Sequence, residues 1–114
     1  MTPCRVVDTR SITPPPIPAG GTRILNVLGG SCGIPATAKA IALNVTIVAP
    51  ATAGFLTLFP GDQAVPESST INFSAGQVKA NNTTMPLGAD GTIGVFNSSA
   101  GPAQVILDVV GYFQ

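Results

Sequence analysis

Glycine and proline divide this sequence into short segments, and that punctuation constrains the fold more than any other feature. The chain has 13 Gly and 11 Pro among 114 residues, and they fall between segments rich in Val, Ile, Leu, Phe and Thr. No segment shows a helical period. The pattern predicts an all-β fold with candidate strands at residues 5–8, 22–27, 40–49, 54–59, 69–73, 77–80, 83–87, 92–97 and 104–113.

Side-chain alternation predicts how the strand at residues 40–49 packs. Ile41, Leu43, Val45 and Ile47 fall on one face, and small or polar side chains fall on the other, as a half-buried strand requires. Eight or nine strands at this spacing are typical of an antiparallel β-sandwich or jelly roll. We therefore predict a single β-sandwich domain spanning residues 1–114.

The connections carry two further predictions. The proline-rich stretch at residues 13–21 cannot join a ladder, because proline lacks the N–H donor, so we expect it to cross the surface between strands. Turn sequences at residues 88–91 and 98–102 make residues 83–113 a candidate three-strand meander.

The scarcity of charge argues against charge-steered partners. Only 9% of the residues are charged, five basic and five acidic, where about 25% is usual. Nucleic acid binding requires a basic stripe, and here the basic residues are scattered singly. Polar residues break every apolar stretch well before the roughly 20 residues of a membrane helix. We expect neither a nucleic acid partner nor membrane insertion.

The sequence offers little catalytic chemistry. It contains no histidine, which removes Ser-His-Asp and Cys-His nucleophile systems. Asp62 and Asp90 lie in turn sequences, so only Asp8, Glu67 and Asp108 are left for a hydrolytic carboxylate pair. No Asp-x-Asp run suits calcium, which leaves open only an ion held partly by loop carbonyls. We expect no enzymatic activity, no cofactor and no metal site.

Two cysteines, Cys4 and Cys32, bear on the compartment. A disulfide between them would close a loop of nearly thirty residues and stabilise the fold by about 3–4 kcal/mol in the chain-entropy model. The alternative is two buried free thiols. A disulfide is useful only in an oxidising compartment. A disulfide would therefore favour an extracellular or cell-surface location. The chain starts without a charged n-region or an apolar h-region, so we expect that any secretion signal has been removed or was never part of this sequence.

Asp108 is a single carboxylate inside the apolar C-terminal strand. Both faces of that strand are mainly apolar, as in a central strand covered on both sides, where an unpaired carboxylate would be costly. Arginine is the side chain best suited to an enclosed carboxylate, and the first and last strands of a sandwich often pair. We therefore predict a buried ion pair between Asp108 and Arg10, with Arg5 as the alternative partner.

Three segments carry a resemblance. They are CRVVDTR at residues 4–10, LNVT at 43–46 and ILDVVGYF at 106–113. In combination with the sequence between them, they resemble a bacterial extracellular domain that recurs near the C-termini of secreted and cell-surface proteins of actinobacteria and acidobacteria. The likeness spans nearly the whole chain. It implies a secreted, often tandem or appended β-module, and it supplies no catalytic residues.

Two function classes fit these observations. The first is assembly, because uncharged strand faces and edges associate readily. The second is carbohydrate binding as a module appended to secreted enzymes, by analogy of fold. Sugar platforms need exposed aromatic rings, but Trp is absent and Tyr is single, and we expect the five Phe mostly in the core. We predict a non-catalytic module that self-associates, as a closed oligomer or fibre, or packs on a neighbouring domain, with polysaccharide as the alternative partner.

Overall fold

The computed structural model describes all 114 residues and is an all-β sandwich, which confirms the predicted fold class. A single 3-10 turn at Gly30–Cys32 interrupts the strands, and no helix is long and apolar enough to cross a membrane. The strands are β1 (Cys4–Asp8), β2 (Thr22–Asn26), β3 (Ala40–Val48), β4 (Gly54–Pro60), β5 (Ile71–Phe73), β6 (Val78–Pro86), β7 (Thr92–Asn97) and β8 (Gln104–Phe113).

The strands form two four-stranded antiparallel sheets with a jelly-roll order. Sheet 1 has the order β1-β8-β3-β6 and sheet 2 the order β2-β7-β4-β5. The first four strands each pair with one of the last four, as β1 with β8, β2 with β7, β3 with β6 and β4 with β5. The chain is therefore one long hairpin, with its tip between β4 and β5, rolled into a sandwich.

Two details of the predicted strands are wrong. The segments at residues 77–80 and 83–87 are one strand, β6, because Asn81 and Asn82 continue the ladder with β3 without a register shift. The predicted meander also fails, since β7 lies in sheet 2 while β6 and β8 lie in sheet 1 and do not pair. The short turns between these strands therefore carry the chain from one sheet to the other.

The core lies between the sheets and is built from alternate strand residues. The predicted inward face of β3 is confirmed, with Ile41, Leu43, Val45 and Ile47 all buried. Val105, Leu107 and Val109 of β8 complete the same layer. The expectation that β8 is covered on both faces is wrong, because sheet 2 packs against only one face of sheet 1. Outward-facing residues of β8, among them Asp108, retain solvent exposure.

The proline-rich crossing is anchored from inside the molecule. Ile17 forms an isolated bridge with Ala103 and is fully buried, so the predicted surface crossing is wrong at that residue. The buried Asn97 carboxamide donates to the carbonyl oxygens of Ile17 and Pro18, both at 3.2 Å, and of Gly101 at 2.8 Å. The Asn97 side chain thus satisfies backbone acceptors of both the β1–β2 connection and the β7–β8 connection.

Candidate functional site

Asp108 pairs with Arg5 and not with Arg10. Arg5 lies opposite Asp108 in the β1–β8 register, and its Nε and Nη2 donate to the two carboxylate oxygens at 3.0 and 3.4 Å. The side chains are 49% and 22% exposed for Arg5 and Asp108. The predicted Arg10 partner and the predicted burial are wrong, because the pair lies on the face of sheet 1 that points away from sheet 2 and keeps contact with solvent.

The buried acid of this region is Asp8, which is 4% exposed. Arg10 Nε and Nη2 donate to its two carboxylate oxygens at 3.0 and 2.9 Å, and the Arg10 backbone N–H donates at 3.0 Å. The side-chain hydrogen bonds from Arg10 lower the pKa of Asp8 from 3.8 to about 2, although desolvation opposes them. Arg10 pairs locally because it lies two residues beyond Asp8, where an aspartate in a turn accepts from the backbone.

Thr9 joins the turn after β1 to the start of β8. Its hydroxyl donates to Gln104 Oε1 at 2.6 Å and accepts the Val105 N–H at 2.8 Å. Its own N–H donates to the Val105 carbonyl oxygen at 3.0 Å. The segment Asp8-Thr9-Arg10 therefore holds the two ends of the chain together, and its polar groups are engaged within the protein.

The predicted disulfide between Cys4 and Cys32 is confirmed, with Cα atoms 5.8 Å apart. Cys4 begins β1 and Cys32 ends the 3-10 turn, so the bridge places that turn beside the strand. Cys32 Sγ lies 3.5 Å from the Arg5 carbonyl oxygen. A disulfide indicates an oxidising environment.

The outer edge of β1 is closed to another strand. The Asp8 N–H donates to Thr13 Oγ1 at 3.2 Å, and the Asp8 carbonyl oxygen accepts from the backbone N–H groups of Ser11 and Thr13 at 3.1 and 2.9 Å. The disulfide-linked turn covers the other end of the strand. The edge groups that would bond a neighbouring strand are therefore occupied or covered.

The opposite edge of sheet 1, formed by β6, is open. Seven of its nine residues are exposed. At the ends of the β3–β6 ladder, the Leu87 N–H donates to the Lys39 carbonyl oxygen, and the Ala49 N–H donates to the Gln77 carbonyl oxygen. Hydrogen-bonded pairs alternate along an antiparallel ladder, so odd-numbered β6 residues bond β3. The N–H and C=O groups of Val78, Ala80, Asn82 and Thr84 point away from the sheet.

Charge does not protect the β6 edge. Lys79 is the only charged residue of β6, and its ammonium donates to the Asn72 carbonyl oxygen at 2.9 Å. Asn81 Nδ2 donates to the Thr70 carbonyl oxygen at 3.1 Å. Both side chains bridge from sheet 1 to the edge of sheet 2 and cap carbonyl groups there, whereas edge lysines that block association point outward.

The phenylalanines are not mainly in the core, contrary to expectation. Only Phe73 joins the core cluster. Phe113 is exposed at the end of β8, and Phe59 is buried on the outer face of sheet 2, where its ring lies over Gly94 and fills the space of a side chain. Phe55 and Phe96 lie on that outer face and are partly exposed, with ring centroids 6.2 Å apart.

The remaining carboxylates do not form a catalytic or metal-binding cluster. Asp62 accepts from the Ala89 N–H at 2.8 Å. Asp90 accepts from the Thr92 hydroxyl at 2.6 Å, and this hydrogen bond lowers the pKa of Asp90. Both residues are turn formers, as predicted. Nowhere do three or more His, Cys, Asp or Glu side chains come close enough together to hold a metal ion.

Comparison with known proteins identifies no family for the chain. No family model and no curated protein matches it. Among solved structures, the coat protein of Tobacco streak virus is similar to it with a TM-score of 0.46 and 14% sequence identity, over 89% of this chain and 83% of that chain. The jelly-roll assignment follows from the strand order alone.

Proposed function

We propose that the protein is a non-catalytic, extracellular structural module of bacterial secreted or cell-surface proteins, and that it assembles by strand addition at the β6 edge. A second copy of the chain is the partner. The observation that carries the proposal is the nine-residue edge of β6, exposed and without an outward charge. Long uncharged edges of this kind template the pairing of another strand.

The other three edges are poorer docking sites. The β1 edge is closed by the disulfide-linked turn and the Asp8 hydrogen bonds. The edge strands of sheet 2 are shorter, with five residues in β2 and three in β5. Two carbonyl groups of the β5 edge region also accept from β6 side chains. Among the four edges, β6 offers the longest run of unpaired backbone groups.

The free groups of β6 favour one antiparallel register with a second copy. If Val78 lies opposite Thr84 of the partner subunit and Ala80 opposite Asn82 of the partner subunit, all four outward N–H groups meet carbonyl oxygens. The register centred on Asn82 also pairs these four N–H groups, but it places Val78 opposite Pro86 of the partner subunit. The proline ring stands where a donor N–H would be, so the Val78 carbonyl oxygen loses its partner. We therefore place the two-fold axis at Asn81.

A two-fold pairing of this kind closes the assembly. Each copy uses the same edge, so the contact is isologous and gives a dimer with a continuous eight-stranded sheet. The outer edges of that sheet are the two β1 strands, which are closed. Growth into a fibre through the ends of sheet 1 is thereby blocked, and the outer faces of the sheet stay available to neighbouring domains.

Sedimentation of two lysine variants tests the proposal. We expect the average mass of the parent protein to rise with concentration from the 11.4 kDa monomer toward twice that value. Ala80→Lys should abolish the rise, because it places a charged side chain on the outer face of sheet 1, directly beside the pairing edge of β6. Ile24→Lys is the matched control, since it adds the same charge at an exposed position of the β2 edge, and it should associate like the parent.

A monomeric parent protein at high micromolar concentration would overturn the proposal. Equal loss of association in both variants would also contradict it, because net charge rather than the β6 edge would then be the cause. Oxidative cross-linking tests the register. Asn81→Cys should form a dimer across the axis, where antiparallel Cα atoms lie about 4.5 Å apart. Preferential cross-linking of Asn82→Cys would contradict the register.

A further inference from the structure

A groove of about 500 Å³ lies on the outer face of sheet 2, between the ends of β4 and β7 and the segment before β5. Its floor is formed by Phe55 of β4 and Phe96 of β7, whose rings are inclined at 57° to each other. Both residues are partly exposed. On a small domain with five Phe, one Tyr and no Trp, two neighbouring rings on an outer face form a localised apolar platform.

The wall of the groove is the segment before β5, and a buried hydroxyl holds it in place. Thr57 lies between Phe55 and Phe59 on the outer side of β4 and is buried. Its hydroxyl donates to the Ser68 carbonyl oxygen, and the Leu58 N–H donates to Thr70 Oγ1 at 2.9 Å. These contacts bring Pro66, Glu67 and Ser69 alongside the aromatic floor.

The polar side chains of the groove make no hydrogen bond or salt bridge within the chain. Glu67 takes no part in any of the three salt bridges of the protein. Asn72 is exposed beside Phe55, its cross-strand neighbour, and uses only its backbone oxygen in the contact with Lys79. No lysine or arginine lines the groove. It therefore combines an apolar floor, one carboxylate, one carboxamide and serine hydroxyls, without positive charge.

We propose that this groove binds a neutral sugar unit of a glycan. A pyranose ring has an apolar C–H face that packs on an aromatic ring, and pairs of neighbouring hydroxyl groups that donate to a carboxylate or bond a carboxamide. The Glu67 carboxylate repels acidic sugars and phosphate groups. A quaternary ammonium ion is a poorer fit, because it would leave the Asn72 and serine groups unbonded and because Phe is not the strongest partner for a cation.

Titration of the isotope-labelled protein, followed by amide chemical shifts, tests this site. The probes are neutral oligosaccharides of glucose, xylose, mannose, galactose and N-acetylglucosamine, with tetramethylammonium and oligogalacturonate beside them. We expect at least one neutral oligosaccharide to shift the amides of Phe55, Asn72 and Phe96, and oligogalacturonate to shift none. The readout is independent of the β6 edge, so the Ala80→Lys variant should bind the same sugar with the same affinity.

Substitutions then separate the platform from the polar wall. Phe96→Ala should weaken binding about tenfold, which corresponds to about 1.4 kcal/mol. Glu67→Gln alters only an exposed side chain and should also weaken binding severalfold with the fold intact, whereas Phe113→Ala, an exposed ring outside the groove, should have no effect. Absence of shifts with every neutral oligosaccharide, binding unchanged by Phe96→Ala and Glu67→Gln, or binding of tetramethylammonium at these residues would overturn the assignment.

Discussion

The two edges of sheet 1 contrast in almost every physical respect. The β1 edge holds the disulfide, three arginine–aspartate pairs and the hydrogen bonds of Asp8 with the following turn. The β6 edge, at the opposite side of the four-stranded sheet, has no covalent bond, no outward charge and no covering segment. One polar row connects them, since Arg5, Asp108, Asn44 and Asn82 lie side by side across the four strands.

The difference separates stability from association. Interactions at the β1 edge join the first and last strands, so their loss should change the free energy of unfolding. The exposed groups of the β6 edge contribute little within one chain, since water satisfies them in the monomer. A substitution there should change the association of folded protein instead. Substitutions at the β1 edge should therefore change stability and leave association through β6 intact.

The largest effect on stability is expected from the disulfide. Replacing both Cys4 and Cys32 with Ser should lower the free energy of unfolding by about 3–4 kcal/mol, because the unfolded chain regains the freedom of the closed loop. Urea denaturation measures the loss, and reduction of the parent protein is the matched control. Association of the variant, at a concentration of denaturant where it stays folded, should be unchanged. A loss below about 1 kcal/mol would show that the bridge is not what stabilises this edge.

A smaller, pH-dependent effect is expected from Asp8. Because its pKa is lowered from 3.8 to about 2 in the folded protein, its contribution to stability is present above pH 3.8 and is lost as the pH falls through 2. Asp8→Asn should therefore be less stable than the parent at neutral pH, and the difference should shrink toward pH 2. Thermal melts across this range check it. If the difference in melting temperature between the variant and the parent stays constant down to pH 2, the role assigned to Asp8 is wrong.

The smallest effect at the β1 edge is expected from Asp108. Its partner Arg5 is half exposed and Asp108 itself is partly exposed, and solvent-exposed pairs contribute little because water and salt screen them. Asp108→Asn should cost much less stability than Asp8→Asn, and its effect should fall as salt is added. The double variant Asp108→Asn, Arg5→Gln measures the coupling. A loss for Asp108→Asn that matches or exceeds that of Asp8→Asn would mean that the outer face of β8 is covered.

Much of the fold could be predicted because the strands repeat a simple alternation. The inward face of β3 and the β7 and β8 limits follow from residues of alternating polarity bounded by Gly and Pro. Sheet membership could not be predicted in the same way. The turns at residues 88–91 and 98–102 are short enough for hairpins, and only the packing of both sheets decides that they cross between layers. Asn81 and Asn82 have low strand propensity, but their place beside β3 overrides it.

The candidate sites were harder to predict than the core. Asp8 carries a usable signal, since Asp8-x-Arg10 in a turn allows the backbone and the guanidinium to reach one carboxylate. Asp108 was misleading, because an apolar outer face looks like a buried one in sequence. In β4, Phe55, Thr57 and Phe59 alternate with Leu56 and Leu58, so the pattern already separates the phenylalanines from the leucines of the core. Which face is covered depends on the other sheet.

Residue-resolved amide exchange at two protein concentrations tests whether β6 is the assembly edge. We expect the amides of Val78, Ala80, Asn82 and Thr84 to exchange rapidly in dilute protein and to become protected as the concentration rises, because they then bond the partner's carbonyl groups. The intervening amides of Lys79, Asn81 and Thr83 already bond β3 and should be protected at both concentrations. If the four outward amides exchange at the same rate in dilute and concentrated protein, β6 is not the assembly edge.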